Sequence, residues 1–124
     1  LFPLMLEITN HLKYKKRYFP KIMLANLPSK NFIRPHVDGS APGHVPHKFH
    51  LAINTNAQSF FYLDEEKFHF DEGIAYEVNN GRRHAVINNG ATDRIHFIFE
   101  CLDFDIQSIS IQNQILKNDP NIFS

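Results

Sequence analysis

The chain has a single cysteine, Cys101, among 124 residues, so no internal disulfide framework holds it together. A lone thiol fits a reducing compartment, and a cytoplasmic location is the expectation. An excess of either charge is also lacking, since Lys+Arg and Asp+Glu both number 13. That balance supplies no general pull toward nucleic acid or an anionic membrane, and no clustered basic and aromatic motif argues for a nucleic-acid partner. No stretch approaches the roughly 18 consecutive apolar residues of a membrane span, and no signal peptide is evident. Repeats, linkers and low-complexity segments are absent. The first residue is Leu rather than Met, so the chain can be a fragment of a longer one. What remains is one domain over residues 1–124, long enough to bury about two-thirds of its unfolded surface. The oligomeric state stays open, with a homodimer as one option.

What is present begins with a helical pattern over residues 4–18, within an N-terminal segment 1–20. Leu4, Ile8 and Leu12 recur at helical spacing, Pro20 stops the helix, and the basic run from Lys13 to Arg17 reads as its solvated end. Residues 21–103 then carry short runs rich in β-branched and aromatic residues, over 21–27, 31–35, 47–54, 59–63, 67–70, 74–78, 84–88 and 94–102. Turn chemistry separates them, notably Asn79-Asn80-Gly81 and Asn89-Gly90. Residues 40–46, with Pro42, Gly43 and Pro46, read as a loop. In 47–54 the side chains alternate, with Phe49, Leu51 and Ile53 on one face and Lys48, His50, Ala52 and Asn54 on the other. The tail, 104–124, could form a closing helix over 106–116. About eight short strands with helices only at the ends predict an all-β fold, an antiparallel sandwich or jelly roll.

The chemistry lies in eight histidines and their neighbours. His36 and Asp38 are two apart, which on a strand puts both side chains on one face and within reach of one ion. Two imidazoles and one carboxylate form the ligand set that holds Fe(II) while leaving positions open, with Mn or Zn as other occupants. His84, opening an apolar strand, is one candidate for the third ligand, and His47, beside the Pro-rich loop, is its rival. His50 lies on the polar face of its strand, where it could meet a co-ligand of the metal. His69 and His96 read as ordinary strand histidines, and His11 as a helix-surface residue. Arg94 is either a surface residue paired with Asp93 or Glu100, or a fork for the carboxylate of an acidic co-substrate. Arg34, Arg82 and Arg83 lie next to the candidate ligands, where they could hold a substrate carboxylate, with a solvated turn the other reading for Arg82 and Arg83. Cys101, in an apolar run, reads as a buried small hydrophobe rather than a nucleophile.

Four segments, Ile33-Arg34-Pro35-His36-Val37-Asp38, His47-Lys48-Phe49-His50-Leu51, His84-Ala85-Val86-Ile87-Asn88-Asn89-Gly90 and Asp93-Arg94-Ile95-His96, together resemble the aspartyl/asparaginyl β-hydroxylase family. The resemblance runs from about Lys21 to Asp103. It implies a double-stranded β-helix, cupin-like, and an Fe(II)- and 2-oxoglutarate-dependent dioxygenase that consumes O2. The substrate it implies is an amino acid or a small molecule or peptide presenting one, aspartyl- or asparaginyl-like. Residue by residue, it makes His36, Asp38 and His84 the catalytic metal ligands and Arg94 the anchor of the distal carboxylate of 2-oxoglutarate. It sets His50 against that co-substrate and puts Lys48 at the basic position before it. The chain departs from the family in having Lys48 where Arg is common. Asp38 supplies a carboxylate that some members lack, and the loop from Leu27 to Asn31 has no Gly. A non-enzymatic cupin-like module binding a metal or small ligand is the competing class.

Overall fold

A computed structural model of the chain describes residues 2–38, 46–79 and 81–103. The expected loop over 40–46 falls almost wholly outside the described residues, as does the expected helix over 106–116. The described residues form two units, one of 2–18 with Leu102 and Asp103, the other of those within 19–101.

In the first unit the helix is shorter than its apolar spacing predicts. Helix α1 spans Phe2–Ile8 and buries Met5, and a 3-10 turn, Asn10–Leu12, follows and ends at Lys13 in the left-handed region. Thr9 marks the stop: its N–H and its hydroxyl both donate to the Met5 carbonyl, at 3.1 and 2.7 Å. The basic run therefore does not end a helix. Arg17 opens strand β1 (Arg17–Tyr18) and its guanidinium donates to the Leu6 carbonyl at 2.6 Å and to Thr9 Oγ1 at 3.0 Å. It thereby satisfies the Leu6 carbonyl, one of those that the end of α1 leaves without a helical partner.

The second unit is two antiparallel sheets. Strands β2 (Ile22–Leu27), β4 (His47–Asn54), β7 (Ala75–Val78) and β9 (Arg94–Asp103) belong to one, in which β9 pairs with β2 on one side and β4 on the other, and β4 with β7. Strands β3 (Asn31–His36), β8 (His84–Asn88), β5 (Ser59–Leu63) and β6 (Glu66–Phe68) form the other, in that order. Leu27, Ala52 and Val78 of the first sheet pack with Phe61 and Val86 of the second, together with Phe70. The expected strands thus appear close to their expected bounds. No helix among the described residues is long and apolar enough to cross a membrane.

The alternation expected on β4 is present, with its polar face turned inward. On β4 it is the polar set, Lys48, His50 and Ala52, that is buried, whereas Ile53 is half exposed at 52%. Phe49 is also buried, stacked on Phe99 at 5.2 Å, with Phe97 and Phe19 against the same ring. The sheet is therefore covered on both faces, with aromatics on one face and polar side chains on the other.

The turn beside β9 is held by Asn88, which is fully buried. Its amide donates to the carbonyls of Leu27 and Thr92 at 3.0 and 2.9 Å, and its oxygen accepts from Ser59 Oγ and the Gly90 N–H at 3.0 and 3.1 Å. Gly90 is required there, because a Cβ would lie 2.1 Å from Asn56 Oδ1. Removing the amide leaves several buried groups without partners, each costing about 1–3 kcal/mol. Asn88→Ala should therefore lower unfolding free energy by about 2–4 kcal/mol, read as a lower urea midpoint at unchanged slope.

Candidate metal centre

His36 and His84 are direct cross-strand partners on β3 and β8. Between the Ile33↔Val86 pair and the His36↔His84 pair β3 advances one residue more than β8, so the register carries a bulge. Pro35 lies inside it, and a residue without an N–H loses nothing where the ladder is interrupted. The bulge brings His36 onto the face that His84 and Val86 share, and the two rings lie 4.2 Å apart. Asp38 follows just beyond the end of β3. Its Oδ1 is 3.3 Å from His36 Nε2 and 3.5 Å from His84 Nε2.

The hydrogen bonds behind the rings decide what this cluster can do. His36 Nδ1 is 2.9 Å from the Arg34 carbonyl, and His84 Nδ1 is 3.0 Å from the Arg82 carbonyl. A carbonyl only accepts, so each Nδ1 carries the hydrogen, and in a neutral ring the Nε2 lone pair is left bare. Two such lone pairs and a carboxylate oxygen converge, all within 4.8 Å of one another. Carbonyl contacts of this kind orient histidines that ligate metals. Neighbouring donors on one divalent ion sit about 3 Å apart, close to the distances here. The residues fit a cation, and the mixed nitrogen and hard-oxygen donor set is consistent with Fe(II).

The far side of Asp38 is held by a second charge. Lys48, on β4 and nearly buried, bonds Asp38 Oδ2 through its ammonium group. Burial alone would raise the Asp38 carboxyl. The hydrogen bond and charge of Lys48, with His84 and His36, outweigh burial and hold it below its ordinary range.

Arg94 is not a surface residue. It is 4% exposed, and among the described residues neither Asp93 nor Glu100 pairs with it. Asp93 accepts instead from the Ser29 N–H at 3.1 Å and the Asn26 amide at 3.3 Å. Burial pushes the Arg94 guanidinium down to about 10, which leaves it charged at neutral pH. Its neighbour is His96 Nδ1 at 2.9 Å, and His50 Nδ1 lies 3.0 Å from the same atom. A cavity of about 10 Å3, room for one water, opens between Ser59, Phe61, Phe70, Arg94 and His96.

The other candidates separate from this group. His47 bonds Glu77 through Nδ1, and the described cluster of metal-type donors does not include it. His69 bonds the Ser59 carbonyl at 2.9 Å, and Arg82 is paired with Asp64 at 2.7 Å. Arg83 borders a cleft of about 320 Å3 with Pro35, Tyr62, Asp64, His84 and Ala85. Cys101 is fully buried. His96 is the residue the sequence reading passed over. Its signal was its position two residues after Arg94, which puts both on one face of a strand.

A family model described as aspartyl/asparaginyl β-hydroxylase matches residues 1–103. The chain belongs to the aspartyl/asparaginyl β-hydroxylase family. Solved structures add the fold. A predicted oxalate decarboxylase from Thermotoga maritima aligns over 78% of this chain and 73% of its own, at 13% identity and a TM-score of 0.54. A protein from Photorhabdus luminescens aligns over 82% of both chains, at 15% identity and a TM-score of 0.52. A cupin 2 conserved barrel domain protein from Salinispora arenicola aligns over 77% of this chain and 79% of its own, at 14% identity and a TM-score of 0.40. No match is found among curated proteins. Within the hydroxylase family this chain thus has a fold of two antiparallel sheets and a candidate two-histidine, one-aspartate metal triad.

The Lys48–Asp38 pair has a sign that can be checked. Asp38 sits below its unfolded value of about 3.9, so the pair contributes stability above that pH and loses it as pH falls through the folded value. Lys48→Met leaves burial unopposed by its main counter-charge. Carbon-13 titration of the metal-free protein should place Asp38 below the ordinary carboxylate range in the wild type and above it in the variant. An unmoved titration would remove Lys48 as the cause.

Proposed function

We propose that this chain is an Fe(II)- and 2-oxoglutarate-dependent dioxygenase that hydroxylates an amino acid, free or within a peptide. One observation carries the reading beyond metal binding. Arg94 is a buried cation with no carboxylate paired to it among the described residues. An uncompensated buried charge costs several kcal/mol, and an acidic co-substrate with a free carboxylate offsets that cost. A guanidinium offers the bidentate geometry a carboxylate takes.

In this reading His36, Asp38 and His84 hold iron, which when bound supplies the activation of O2 that couples 2-oxoglutarate oxidation to hydroxylation. The chain's own residues do the rest. The Arg34 and Arg82 carbonyls keep both histidines presenting Nε2. Lys48 occupies Asp38 Oδ2, so that Oδ1 is the atom offered. Arg94 takes the distal carboxylate, with His50 beside it. Phe61 stacks on the His84 ring at 5.7 Å and, with Phe70, limits water around the site. The cleft beside His84, with Arg83 on its rim, is a route for a substrate that carries an acidic group.

A second reading is a cupin-like metal-binding module without oxygenase chemistry. The water-sized cavity at Arg94 favours it, since 2-oxoglutarate needs that space to widen. Metal and co-substrate binding separate the two. His84→Ala should abolish stoichiometric Fe(II) or Mn(II) binding, and His47→Ala should leave it intact. Arg94→Ala should weaken 2-oxoglutarate binding by about 2–3 kcal/mol without changing metal stoichiometry. Wild-type protein that binds metal and ignores 2-oxoglutarate would leave only the module.

A further inference from the structure

His96 sits where Arg94 and His50 meet, and the hydrogen-bond chemistry there admits one arrangement. Arg94 and His96 share a face of β9, and His96 is paired in register with Ala52 on β4, whose small side chain leaves room for the imidazole. The ring is 1% exposed. A guanidinium has no acceptor, so at 2.9 Å from Arg94 Nη2 the His96 Nδ1 must carry a lone pair. His50 Nδ1, 3.0 Å from that same atom, must then bring the hydrogen. The tautomers follow: His96 is protonated on Nε2 and His50 on Nδ1. Burial keeps both rings neutral, pushing His96 down to about 3 and His50 well below its ordinary value.

We propose that His96 is a positioning residue for 2-oxoglutarate: through one nitrogen it orients the Arg94 fork and fixes the tautomer of His50. This rests on the reading of Arg94 as the co-substrate's anchor. Two donors share one lone pair, at 2.9 and 3.0 Å, so each competes with the other for it. A carboxylate arriving at Arg94 draws on the guanidinium and leaves the lone pair to His50. His96 thereby couples occupancy of the carboxylate site to the orientation of the imidazole beside it.

A double-mutant cycle, read by calorimetric titration of 2-oxoglutarate into Mn(II)-loaded protein, tests this. His96→Leu should weaken binding about tenfold or more, at unchanged Mn(II) stoichiometry. His96→Asn, whose amide oxygen can accept near the position of Nδ1, should recover most of the loss. In an Arg94→Lys background His96→Leu should cost little further, because it acts through Arg94. Additive losses, or full affinity in His96→Leu, overturn the role of His96 while a weakened Arg94→Lys keeps the anchor. Unchanged binding in Arg94→Lys and Arg94→Ala overturns the anchor itself. Should His96→Leu fail to fold, nitrogen-15 histidine spectra of the wild type decide. Bare Nδ1 on His96 and protonated Nδ1 on His50 are expected, and a protonated His96 Nδ1 ends the proposal.

Discussion

One extra residue on β3, between Ile33 and His36, is the constraint on which the site depends. Side chains alternate along a strand, so a regular ladder from the Ile33↔Val86 pair would turn His36 away from the face that His84 occupies. The bulge reverses that, makes the two histidines cross-strand neighbours, and releases Asp38 from the ladder to close the triad. Pro35 makes the interruption inexpensive. The strand also lies at the edge of its sheet, where a bulge disturbs one ladder only.

The two sheets then divide the chemistry. The β3–β8 sheet supplies the histidines and Asp38, with nitrogen and oxygen lone pairs converging on one point. The facing sheet supplies positive charge and neutral imidazole: Lys48 on Asp38, and Arg94 backed by His96 and His50. Each cation has a different situation. Lys48 is matched by a carboxylate and lowers its pKa. Arg94, at 4% exposure, meets among the described residues a His96 ring that burial keeps neutral, with His50 beyond it. Among the described residues the interior therefore holds an ion pair beside the candidate metal cluster and, on β9, a positive charge with no carboxylate paired to it. That asymmetry suits the proposed site, a metal with an anionic co-substrate beside it.

Much of this was legible in the chain, for identifiable reasons. The strands β4, β5 and β8 begin and end where alternation and turn residues put them, because a half-buried pleat imposes that period. His36 with Asp38 stood out as a spacing, and the family resemblance favoured His84 over His47. The length of α1 was misread because apolar spacing carries on past Thr9, whose hydroxyl bonds back to Met5. The polar face of β4 was legible as an alternation, and His50 was placed on it to meet a co-ligand, but no local pattern says that Phe49 is buried on the opposite face as well. In this fold the interior is the site, so Lys48 and His50 face in, while Phe49 packs against Phe99 on the other side. His96 looked ordinary because its role comes from a contact with His50 on another strand. The Lys48–Asp38 pairing likewise depends on register between sheets, which no local pattern encodes.

The central claim is that the triad and Arg94 form one site for a metal and 2-oxoglutarate. Anaerobic optical titration of 2-oxoglutarate into the Fe(II)-loaded protein tests it most directly. A weak visible charge-transfer band should grow with 2-oxoglutarate and saturate at one molecule per iron. Iron bound at the triad with no such band, however much 2-oxoglutarate is added, would contradict it.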